Sequence, residues 1–199
     1  MHGLFFYIGL GLGLALACGL RPYLPALLAG VLGSAKALGV TFSGGHFHFL
    51  QAGWWLLVVV VVLALVYVLQ IRMSAERFDG SWGPIVSIHA VALGALLFAG
   101  TLCAHGKHWW PGLVGGALAA ALGRWAVLPV LEGARSRLTD RAAKEALTVY
   151  LDAAALVLAF LVALLHPLGY VAAVLLAWFV WRRRGRGGER YAGLRILGR

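Results

Sequence analysis

Trp54-Trp55-Leu56-Leu57-Val58-Val59-Val60-Val61-Val62-Leu63-Ala64-Leu65-Val66-Tyr67-Val68-Leu69 carries no charge, and its centre from Leu56 to Leu65 is wholly aliphatic. A helix over this run is apolar on every side, so it has no face to offer water and belongs in lipid or deep in a core. About 20 apolar residues cross a bilayer. Working outward, comparable stretches cover residues 4–20, 84–103, 111–131, 147–165 and a short 169–181. The last two would form one helix of roughly 50 Å, too long for a hydrocarbon layer of about 30 Å. His166-Pro167-Leu168-Gly169 interrupts them. Proline lacks the amide hydrogen and glycine accepts a turn, so a tight hairpin is predicted there.

The composition agrees. Of 199 residues 62% are hydrophobic and 12% charged, with a mean hydropathy of +0.88. Soluble domains carry about 25% charged residues. A water-soluble globular protein, a disordered chain and a nucleic-acid-binding domain are thereby excluded. The 27 glycines show no collagen period and suit close helix contacts in a membrane bundle. Ala15-Leu16-Ala17-Cys18 imitates a lipoprotein cleavage site, but no Lys or Arg precedes it, so residues 4–20 are read as the first membrane helix.

Six crossings with the amino terminus inside satisfy the positive-inside rule. Arg72, Arg77, Arg135, Arg137, Arg141, Lys144 and seven tail arginines from Arg182 to Arg199 then lie inside, against Arg21, Lys36 and Lys107 outside, with Arg124 in the fourth span. Trp54-Trp55 and Trp109-Trp110 mark the outer interface, Trp82 and Trp181 the inner one, as indoles prefer the headgroup level. Residues 22–40 are apolar but broken by Pro22 and Pro25, and predict a re-entrant or interfacial helix. Residues 1–184 thus form a single transmembrane domain of the all-α class, a polytopic helical bundle, and 185–199 a basic cytoplasmic tail. Ala15-Leu16-Ala17, Arg21, Pro25 and Gly30 are echoed by Ala117-Leu118-Ala119, Arg124, Pro129 and Gly133. With spans one and four running oppositely, the echo predicts a three-plus-three inverted repeat, an architecture of many secondary transporters.

Gly9-Leu10-Gly11-Leu12, then Ala17-Cys18-Gly19-Leu20-Arg21 and Leu24-Pro25, resemble the opening of an uncharacterised bacterial integral-membrane family, the domain of unknown function 4126. The second half is similar as well. A small-residue fourth span leads to a basic stretch at Arg135 and Arg137, and Asp152 stands fifteen positions before Pro167, where the family usually has a carboxylate. Two departures stand out. Gln70 occupies a place where members tend to carry glutamate, and Glu76, Phe78 and Asp79 match a following acidic-proline motif only in part. The resemblance implies a topology and leaves activity open.

Ionisable residues at bilayer depth are costly, and each is a functional suspect. Arg124 lies within span four and Asp152 within span five, close enough in depth to pair; the alternative is a structural pair that fixes helix register. His89 in span three is a candidate proton relay, or else a satisfied interior histidine. The topology sends His46, His48, His105, His108 and His166 to the outer face beside Cys103. Imidazole and thiolate are ligands for zinc or copper, although Lys107 disfavours a cation there. Cys18, placed at a similar depth, could pair with Cys103 instead. Hydrolase, metalloprotease and phosphate-loop motifs are missing, so no cofactor beyond that metal is called for and the chain reads as a non-enzyme.

The leading expectation is a small transporter or channel-like protein of the bacterial inner membrane, with both termini cytoplasmic. Arg21, Arg124, Asp152 and His89 line its pathway, the solute is anionic or a lipid headgroup, and a proton is the coupling ion. Anionic lipids would meet the basic tail. The alternatives are a non-catalytic membrane subunit, docking a partner or another copy through small-residue faces, and a metal-binding or redox membrane protein.

Overall fold

A computed structural model of the protein describes residues 3–43, 45–73 and 81–187. Arg77, the partial match at Glu76, Phe78 and Asp79, and the tail beyond residue 187 lie outside the described residues. Every regular element among the described residues is helical. They are α1 (Leu4–Leu20), α2 (Tyr23–Ser34), a 3-10 helix (Gly45–Gln51), α3 (Gly53–Arg72), α4 (Gly83–Ala104), α5 (Trp110–Arg135), α6 (Arg141–Leu164) and α7 (Leu168–Gly187). Four of them, α3 to α6, contain stretches long and apolar enough to cross a membrane. The helices α1 and α2 are apolar but shorter, with 17 and 12 residues.

The break between α1 and α2 follows from Pro22. A proline pushes the residue before it out of the helical region, and Arg21 is extended at φ −149° and ψ 121°. Pro22 itself returns to helical angles, so the chain restarts as α2. In α5 the helix runs on through Pro129 to Arg135.

Side-chain neighbours fix the direction of each helix. Tyr7 of α1 stacks on His105 at the end of α4, with ring centroids 3.3 Å apart. Further along α1, Gly11 lies against Phe98 and Ala15 against Gly94, so α1 and α4 are antiparallel. Gly112 of α5 meets Ala99, and Gly116 meets Gly94 and Ala95, so α4 and α5 are antiparallel too. It follows that α1 and α5 run in the same direction. The inverted relation expected between them is not seen; the echoed segments are parallel. Gly19 and Gly123 touch, which sets Arg21 and Arg124 at similar depth.

The start of α1 also reaches the turn between α6 and α7. Tyr170 donates a hydrogen bond to the Phe5 carbonyl at 2.8 Å, and Gly9 lies against His166. After α2 the chain is back at this end, where Gly39 meets His166. α1 and α2 therefore form a helical hairpin whose tip is Arg21-Pro22. Leu4 lies at the His105 and His166 end of the bundle, whereas α7 starts there and runs about 30 Å away.

α1 is the axis of the bundle. From Gly9 to Leu20 all but Leu12 are buried, and α2, α4, α5, α6 and α7 pack around it. Small residues permit this crowding. A Cβ on Gly116 would stand 2.6 Å from the Gly94 carbonyl oxygen, and one on Gly123 2.7 Å from that of Leu16. α3 is the outlier: only Val59 is buried, and its main supports are α2 and the 3-10 helix.

Candidate functional site

The hairpin tip delivers a guanidinium to a carboxylate. Arg21 Nε lies 3.0 Å from Asp152 Oδ1, and Tyr67 of α3 donates its hydroxyl to Oδ2. Asp152 is 8% exposed, and it sits midway along α6, far from either end. A buried carboxylate keeps its charge only where partners replace its water. Here a cation and a phenol take one oxygen each.

A small recess adjoins the pair, walled by Tyr23 of α2, Leu63, Tyr67 and Gln70 of α3, and Val86 of α4. Its origin is a mismatch in length. The 12 residues of α2 rise about 18 Å and the 20 of α3 about 30 Å, so α2 leaves about 12 Å of α3 unbacked. Near the hairpin tip Tyr67 of α3 reaches across to Asp152. Gln70, where the resemblance anticipates glutamate, lines the same recess.

The other candidates are separate. Arg124 does not meet Asp152; its Nε donates to Ser87 Oγ at 3.1 Å, joining α5 to the first turn of α4. Its expected partner is held by Arg21 instead. His89 is exposed rather than interior; its Nδ1 is 2.9 Å from the Ile85 carbonyl oxygen and its ring 6.3 Å from that of Tyr23. Arg135 Nη2 donates to Thr148 Oγ1 at 2.9 Å, one turn before Asp152 on α6.

His46, His48, His105, His108 and His166 do share one end of the bundle with Cys103, because α3 to α7 run as expected. They do not converge. His46, His48 and His108 are exposed, His105 is stacked on Tyr7, and His166 faces Gly39 and Phe6. Among the described residues no three His, Cys, Asp or Glu side chains group closely enough to hold a metal ion. Both cysteines are free. The expected common depth fails because α1 runs the other way: Cys18 is buried near the Arg21 end of α1, while Cys103 lies near Gly45 at the opposite end. They cannot form a disulfide.

Sequence reading singled out Arg21 and Asp152 but missed Tyr67, Tyr23 and Ser87. Tyr67 had a signal, as the one polar side chain in the run from residue 56 to 69.

These features define an all-α protein built from membrane-length apolar helices, with one desolvated ion pair at the tip of a helical hairpin. A family model, Domain of unknown function (DUF4126), matches residues 8–184, and the chain belongs to that family. No curated protein and no solved structure is significantly similar to it.

Proposed function

We propose that the protein is a small membrane transporter whose solute site is Arg21 with Asp152 and Tyr67. One observation carries this reading: a charged pair is buried at a break between two helices, beside a recess between α3 and the body. Broken helices at bilayer depth with ionisable side chains are how transporters commonly build a solute site. Arg21 makes that site suited to an anionic solute or headgroup. Arg124 is left outside the route as a clamp between α4 and α5.

In the membrane, α1 and α2 act as a hairpin and α3 to α7 cross in alternation. The end that bears Arg72, Arg135, Arg137, Lys144, Arg182 and Arg183 is then cytoplasmic, against Lys36 and Lys107 at the other. Arg182 and Arg183 lie over Trp178 and Phe179 at 5.1 and 5.0 Å, anchoring the cytoplasmic end of α7 among lipid headgroups. The reading as a partner-docking subunit drew on small-residue faces. Gly19, Gly94, Gly112, Gly116 and Gly123 pack inside the bundle, which favours the transporter reading over it.

The test is uptake of labelled small anions by proteoliposomes. Arg21→Gln is expected to lower uptake at least about tenfold, the worth of one charge-assisted contact. Uptake that is robust and unchanged in a folded Arg21→Gln protein would overturn the proposal.

A further inference from the structure

We infer that Tyr23 and Gln70 form a hydroxyl-binding subsite of the recess, so that its ligand carries an alcohol group. The inference rests on the solute site proposed above and names a chemical feature of its ligand.

The recess is walled by three neutral polar side chains, Tyr23, Tyr67 and Gln70, set among Leu63, Val66 and Val86. Tyr67 is engaged, because its hydroxyl donates to Asp152. Tyr23 and Gln70 are not. Among the described residues neither the phenol of Tyr23 nor the amide of Gln70 makes a hydrogen bond. Tyr23 is only 7% exposed. Its ring meets that of His89, with centroids 6.3 Å apart, but His89 directs Nδ1 to the Ile85 carbonyl.

A buried hydroxyl without a partner is costly, and native proteins rarely leave one so. Packing does not ask for a phenol here, since phenylalanine would fill the same space without an unmet donor. Gln70 repeats the case on the neighbouring helix, α3, where an apolar side chain would suit a membrane span better. Two such residues, on two helices, line one recess. A ligand that supplies the missing bonds accounts for both.

The chemistry of the pair selects the group. A phenol and a primary amide can each donate and accept. A hydroxyl is the smallest group that answers both, with one proton to give and two lone pairs. Anionic oxygen only accepts and an ammonium only donates, so either leaves part of the pair unmatched. A site built to hydrogen-bond an alcohol discriminates against the analogue lacking it, because its own polar groups are then stranded. The alcohol belongs to a small free solute or to a lipid headgroup.

Two pairs of probes matched in charge test this: lactate with propionate, and phosphatidylglycerol with phosphatidylpropanol. Each is titrated against the full chain in detergent. Thermal unfolding reads the binding, since a ligand of the folded state raises the melting temperature. The hydroxylated member of at least one pair should bind at least about tenfold more tightly than its match. Preference in the first pair marks a free solute, and preference in the second alone a headgroup. Without ligand, Tyr23→Phe and Gln70→Leu should unfold at the native temperature, because neither gives up a hydrogen bond. Each should weaken the preference, and the double variant should abolish it. A drop in stability of unliganded Tyr23→Phe would show that the hydroxyl is used by the fold, and overturns the inference. Equal affinity within both pairs, no response to any of the four probes, or a preference that survives the double variant overturns it too. Proteoliposome flux separates the two proposals. A binding preference without flux of either hydroxylated probe keeps the subsite and removes the transport reading; anion flux with equal affinities within both pairs keeps transport and overturns the subsite.

Discussion

Arg21 and Asp152 meet with each side chain only 11% exposed, so removing one deprives the other of a counter-charge 3.0 Å away. Asp152→Ala or Arg21→Ala is expected to cost about 3–5 kcal/mol, the range for leaving a buried charge without its partner. Replacing both by apolar residues of similar size, Arg21→Met with Asp152→Leu, should recover much of that loss. Thermal unfolding in detergent measures all three, and a double variant whose loss equals the sum of the two single losses would show that the pair is not coupled. Tyr67→Phe removes one hydrogen bond to a charged acceptor, an expected loss of about 1.5–3 kcal/mol in the same assay. At this scale the sequence was partly readable. Arg21 and Asp152 stood out because charge is rare in an apolar chain, but their pairing did not. Arg21 was read as an outer-loop cation, since nothing on α1 reveals which way that helix points. Tyr67 was hidden because a single phenol barely disturbs an aliphatic run.

Among the elements, α1, α4 and α5 touch backbone to backbone, and glycine is what allows it. Gly116→Val puts branched carbon where the Gly94 carbonyl stands, and Gly123→Val does the same at Leu16. Overpacking of this kind costs about 1–3 kcal/mol and more where backbone must move, so both variants should melt lower and lose yield. Gly53→Ala is the control, since a Cβ there meets nothing. Helices α3 to α6 were legible because long apolar runs announce themselves. The hairpin was legible only as a break: Pro22 and Pro25 showed that residues 22–40 could not continue α1. A 12-residue helix gives no signal of whether it lies on the membrane or turns back beside its predecessor. Packing decides that, and here α2 turns back to cover part of α3 and α6.

For the whole molecule, reversing α1 reassigns one end of the chain. Phe5 and Arg183 are exposed near opposite ends of the bundle. With Cys18 and Cys103 replaced by alanine, Phe5→Cys and Arg183→Cys should react with an impermeant thiol reagent from opposite faces of sealed vesicles. The grouping of five histidines at one end was anticipated because it depends only on α3 to α7. The mirrored halves were not, because they depended on α1.

The central claim is that α1 descends beside α4 in the opposite direction and carries Arg21 to Asp152. Cross-linking in the cysteine-free background tests it most directly, using Tyr7→Cys with His105→Cys against Tyr7→Cys with Gly83→Cys and a short thiol-specific linker. The structure predicts efficient bridging of positions 7 and 105 and none between 7 and 83. Bridging of 7 to 83 in place of 105 would turn α1 round, separate Arg21 from Asp152 and contradict the account.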